Sequence, residues 1–127
     1  MTQNRPVNIN LLKIKLPLSA FLSITHRISG ILIFFLVLPT SVFIFSELTQ
    51  NQDSFNNFMI TYHTNLEIKF GCIGLILIFQ YHIFTGIRHI LMDFHILNES
   101  LSSSYKSAVT TIVLFAVNTL LTLWVML

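Results

Sequence analysis

His82, Gly86, His89 and Asp93 stand at offsets 0, 4, 7 and 11 within one long apolar run. At about 100° per residue they share a helical stripe roughly 60° wide, while Phe84, Ile87 and Leu91 point elsewhere. An ionisable line on a segment that otherwise suits lipid is costly, and such residues face a partner, a cavity or a cofactor. A neutral imidazole can ligate haem iron axially, which is the chemistry open to His82. Gly86 lacks a side chain where a flat ligand would have to approach, and His89, one turn on, could donate to a haem propionate. The stripe therefore points to bound haem. The plainer readings are a His82 bonded to another helix, an interfacial His89 and a solvated Asp93. His63 and His95 receive no role, and Arg88, about 120° round the helix, is expected among lipid headgroups.

A second group, Ser23, His26, Arg27 and Gly30, lies at offsets 0, 3, 4 and 7 on the opening turns of the first apolar helix, again on one face. Ser23 could offer its hydroxyl to a quinone carbonyl. Arg27 and His26 could supply positive charge to haem propionates or to a quinone gaining charge. The plainer readings are an arginine snorkelling to lipid phosphates and a serine that caps the helix.

The elements that position these groups follow from composition. Of 127 residues, 54% are hydrophobic and only 9% charged, which is an integral membrane protein. A formal net charge of +2 provides no nucleic-acid-binding face. Cys72 is the only cysteine, so neither an internal disulfide nor a CxxCH attachment site exists and any haem would be non-covalent, of b type. No nucleophile–base pair, phosphate loop or HExxH motif is present, so the chain is expected to be non-catalytic on its own. Its first fifteen residues carry Arg5, Lys13 and Lys15 without an apolar core, unlike a removable signal peptide.

Three apolar stretches can cross a bilayer, which takes about 20 residues. They predict an all-α membrane-anchor domain over 1–127, with spans over about 20–46, 67–94 and 106–127. Pro39 should kink the first. Arg5, Lys13, Lys15 and Arg27 precede span one, and Arg88 and Lys106 flank the second loop, whereas the first loop has Lys69 as its only basic residue. The positive-inside rule then puts the N-terminus and second loop in the cytoplasm or its organellar equivalent. Polar residues 49–57 read as a solvated connector. Three helices enclose a large cofactor poorly, so a bundle completed by a second membrane subunit is expected.

RPVNINL at 5–11, SITHRISG at 23–30 and HIFTGIRHILMDF at 82–94 resemble the cytochrome b membrane anchors of succinate dehydrogenase, respiratory complex II. The resemblance runs from about Arg5 to Phe94, and span three matches in length and apolarity alone. It implies that His82 is an axial ligand of haem b, with the other ligand from the smaller anchor subunit. It implies that Ser23, Ile24 and Arg27 line the ubiquinone site, and that His26, Arg27 and His89 lie near the haem propionates. The implied partners are the flavoprotein and iron–sulfur subunits and the smaller anchor. The implied role is electron transfer to quinone in the respiratory chain and tricarboxylic acid cycle.

A fumarate reductase anchor is the close alternative; a haem-free structural scaffold and a proton-relaying transporter subunit stand further off. A polar face without a gap beside Gly86 would favour the scaffold. Localisation is expected in the bacterial inner membrane, with the mitochondrial inner membrane as alternative.

Overall fold

The computed structural model describes residues 16–97 and 100–127. Arg5, Lys13, Lys15 and the RPVNINL segment lie outside the described residues. The described residues form four helices and no strand: α1 over Leu18–Gln50, α2 over Gln52–Thr64, α3 over Leu66–Asp93 and α4 over Leu101–Met126. α1, α3 and α4 are long and apolar enough to cross a membrane. Their large apolar side chains face outward, with Phe35 at 73% and Trp124 at 86% exposure. Such surface requires lipid or a partner rather than water.

Each helix starts where the sequence permits it. Pro17 precedes α1 in an extended conformation and its carbonyl accepts from Ala20 and Phe21. Asn51 is the single extended residue between α1 and α2, and its side chain caps Ser54 N–H at 2.8 Å. Asn65 caps Glu67 and Ile68 at the start of α3, and Ser100 caps Ser103 at the start of α4. These oxygens satisfy N–H groups that a helix N-terminus leaves without partners. α3 ends on His95, whose φ of 55° turns the chain so that the Leu91 carbonyl accepts from Ile96 and Leu97.

Pro39 disturbs α1 without ending it. Proline has no N–H to give the carbonyl four residues back. The helix widens into a π turn over Ile33–Val37, and Leu38 N–H reaches Ile33 O instead. This is the form taken by the expected kink.

Residues 52–64, half of which fall in the expected polar connector, instead form α2, which packs against α1 and α3. Phe55, Phe58, Met59 and Tyr62 recur at helical spacing. Phe58, Met59 and Tyr62 are half-buried. Tyr62 donates to the Met126 carbonyl at 3.2 Å and Lys69 to the Leu127 carbonyl at 3.1 Å. The end of α4, whose last carbonyls lack helical partners, is thereby tied to α2 and α3.

Candidate functional site

HRISG at 26–30 and HIFTG at 82–86 are the same pattern, His-x-x-Ser/Thr-Gly, on two helices. The fold brings them face to face. His26 Nδ1 bonds Thr85 Oγ1 at 2.8 Å, and His82 Nδ1 bonds Ser29 Oγ at 2.9 Å. A Cβ placed on Gly86 would meet His26 Cε1 at 3.2 Å, and one on Gly30 would meet His82 Cε1 at 3.2 Å. Residue 26 thus meets 85 and 86 while 82 meets 29 and 30, the register of an antiparallel pair. Each histidine bonds the hydroxyl and lies over the glycine of the opposite helix. The two rings stack, with centroids 4.2 Å apart and 15° between planes. His89 lies at 5.1 Å from His26, tilted by 43°. A bond between Thr25 and Tyr81 extends the same seam.

Ser29 Oγ also lies 2.7 Å from the His26 carbonyl, and Thr85 Oγ1 lies 2.8 Å from the Tyr81 carbonyl. A hydroxyl carries a single donor, so when each donates to its own helix it accepts from the facing histidine. In that tautomer His26 and His82 carry the proton on Nδ1, and Nε2 is a lone pair. An imidazole anchored through Nδ1–H, with Nε2 free to bind, is how metal-ligating histidines are oriented. Among the described residues no hydrogen bond occupies His82 Nε2. The donor set therefore fits haem iron.

Three of the sequence-derived site residues, His26, His82 and His89, come together and are half-buried. Gly86 is flanked differently from the expectation of an open notch: the His26 ring fills the space beside it. The missing side chain there lets α1 and α3 approach. Ser23 sits one turn before His26 and Arg27, half-buried, and forms no side-chain hydrogen bond to another described residue; Arg27 is exposed and Ile24 is 44% exposed. Arg27, Arg88 and Asp93 are all within electrostatic reach of His89. The stripe's charged end is thus shared by both helices.

Two functional residues, Ser29 and Thr85, stand inside the sequence motifs without a role assigned from sequence. Each lies three residues after a histidine, on the same face, in a pattern that occurs twice; that repetition is the available signal. Arg88 is a correction. It is 3% exposed and lies between α3 and α4, with Nε donating to Ser107 Oγ at 3.1 Å and Nη2 to the Ser104 carbonyl at 3.2 Å. It does not stand exposed in the headgroup layer, because the serines of α4 supply acceptors within the seam.

Comparison with known proteins gives the family of the chain. The family described as succinate dehydrogenase/fumarate reductase transmembrane subunit matches residues 1–123. The succinate dehydrogenase cytochrome b556 subunit of Coxiella burnetii is 37% identical over 93 residues, covering 73% of this chain and 74% of the relative. The succinate dehydrogenase cytochrome b560 subunit of Porphyra purpurea is 32% identical over 112 residues, covering 87% of this chain and 88% of the relative. That of Chondrus crispus is 36% identical over 93 residues, or 72% of each chain.

Proposed function

The chain belongs to the succinate dehydrogenase/fumarate reductase transmembrane subunits, and we propose that it is the cytochrome b anchor of a succinate–quinone oxidoreductase. It would hold the flavoprotein and iron–sulfur subunits on the membrane together with a smaller anchor. In this reading His82 Nε2 would ligate the iron of haem b, with a further ligand from the partner anchor. His26, Arg27 and His89 hold the haem carboxylates. Ser23 donates a hydrogen bond to a ubiquinone carbonyl, Arg27 adds positive charge beside it, and Ile24 gives apolar contact. Haem, when bound, supplies a one-electron redox centre next to the quinone.

The observation that carries this reading is the bond of His82 Nδ1 to Ser29 Oγ at 2.9 Å. In the Nδ1–H tautomer it holds the ring and keeps Nε2 as a lone pair for iron. The basic residues Arg27, Arg88 and Lys106 all belong to one end of the bundle. The positive-inside rule makes that end cytoplasmic, the inner face of a bacterial plasma membrane.

A reduced-minus-oxidised optical spectrum of the assembled complex tests the ligand reading: a b-type band is expected. For the quinone role, Ser23→Ala should lower quinone reduction more than succinate oxidation measured with a soluble artificial acceptor. Equal losses in both assays would remove Ser23 from the quinone site.

One observation favours a second reading, a haem-free scaffold. His26 fills the notch at Gly86, and each His–hydroxyl pair already ties α1 to α3. Absence of any haem band in a fully assembled complex would select it.

A further inference from the structure

The seam between α3 and α4 holds a cation that the haem and quinone reading leaves unused. Arg88 is about 120° round α3 from the histidine stripe and 3% exposed. Its hydrogen-bond partners among the described residues are the Ser107 hydroxyl and the carbonyl and hydroxyl of Ser104. All are neutral, and a guanidinium does not give up its proton. Among the described residues a full positive charge is therefore held in a seam of low dielectric by dipoles alone, which is costly unless an anion comes near.

A cleft of about 450 Å³ opens beside it. Arg88, Lys106 and Ser103 line its polar part, and Phe84, Ile87 and Leu114 its apolar part. Arg88 lies five residues before the end of α3, about 7 Å from it at 1.5 Å per residue, the depth at which headgroup meets acyl chain. Exposed Lys106 stands five residues into α4. Two cations and a hydroxyl above an apolar wall are complementary to an amphiphile with a negative head. Free phosphate would answer the cations and leave the wall bare.

We propose that the α3/α4 cleft binds an anionic phospholipid, its phosphate between Arg88 and Lys106 and an acyl chain along Phe84, Ile87 and Leu114. The bound lipid completes the seam by neutralising a buried charge that no described residue pairs with an anion.

The test uses the assembled complex, stripped of lipid by detergent exchange and then given phosphatidylglycerol micelles, phosphatidylcholine micelles or inorganic phosphate alone. Lipid retained per complex is read by mass spectrometry, and thermal unfolding is followed in parallel. Phosphatidylglycerol should be retained and raise the unfolding temperature, while the other two should do neither. Lys106→Gln should weaken that retention about fivefold, the effect of one basic group beside an anionic headgroup, and leave the haem spectrum unchanged. Arg88→Gln should weaken it further and Arg88→Lys restore part. If Arg88→Gln fails to assemble, Lys106→Gln and Lys106→Glu carry the test, with Lys106→Glu the weaker binder. Equal retention of both lipids, the same stabilisation by phosphate alone, or full retention by Lys106→Gln would each overturn the proposal. So would efficient crosslinking from position 106 into a partner subunit with no lipid retained.

Discussion

α3 meets α1 and α4 along two polar seams that leave opposite things over. On the α1 side the polar groups that meet are paired across the helices: His26 with Thr85 and His82 with Ser29. With Nδ1 of each ring taken up in this way, what remains is Nε2, which as a lone pair suits a metal cation. On the α4 side the hydrogen-bond partners of Arg88 among the described residues are serine oxygens. What remains is positive charge, which suits an anion. The same helix thus presents an electron-pair donor on one face and an unneutralised cation on another. The difference lies in what the facing helix contributes: α1 repeats α3's own His-x-x-Ser/Thr-Gly pattern, whereas α4 offers hydroxyls and no carboxylate to Arg88.

The near-symmetry of the first seam can be broken most sharply by comparing its two histidines. Both bond a hydroxyl through Nδ1 and each lies over a glycine, so geometry alone does not rank them; the resemblance assigns the iron to His82. His82→Ala should abolish the haem band in an assembled complex, and His26→Ala should retain it. A band that survives His82→Ala and disappears in His26→Ala would exchange the two roles.

The glycines come next in magnitude. A Cβ at Gly86 would stand 3.2 Å from His26 Cε1, closer than ordinary contact, and Leu adds three further carbons. Overpacking of this kind costs about 1–3 kcal/mol, so Gly86→Leu should lower the yield of assembled complex. Gly86→Ala should be milder, because His26 needs to move only by tenths of an ångström. Gly74 is the control, since a Cβ there would have nothing within 4 Å: Gly74→Ala should leave assembly unchanged. Equal losses at both positions, measured by blue-native electrophoresis, would show that the His26 contact is not what Gly86 serves.

The two seams also differ in how plainly they can be read from residues. The apolar spans announce themselves because lipid imposes a length and a composition. The histidine stripe does so because an ionisable group in such a span requires a reason. α2 is hidden because Gln52, Asp53, Asn56 and Asn57 dominate its polar face, and only Phe55, Phe58, Met59 and Tyr62 mark the helical period. Ser29 and Thr85 are hidden differently: a hydroxyl declares its partner only across helices, and pairing α1 with α3 in antiparallel register is a tertiary fact. Arg88 shows the same limit. Helical spacing gives its angle from the stripe, but nothing on α3 itself states that Ser104 and Ser107 of α4 stand opposite.

Smaller effects sharpen the contrast between a seam that orients a ligand and one that only joins helices. Ser29→Ala removes the hydrogen-bond partner of His82 Nδ1 and with it the anchor of the ring. Loss of such a supporting group typically weakens a metal site about 10–100-fold, so haem should still incorporate but exchange out faster, with assembly retained. Ser29→Thr, which keeps the hydroxyl, should recover much of the loss; equal haem loss rates in Ser29→Ala and the parent would remove Ser29 from that role. On the α4 side, Gln80 donates to Thr122 at 2.8 Å, a neutral tie with no ligand to orient. Interhelical bonds of this kind average about 0.6 kcal/mol in a membrane. Gln80→Leu should therefore shift thermal unfolding only slightly and leave the haem dissociation rate unchanged. A large loss of haem from Gln80→Leu would mean that the two seams are coupled through α3 and that the division between them does not hold.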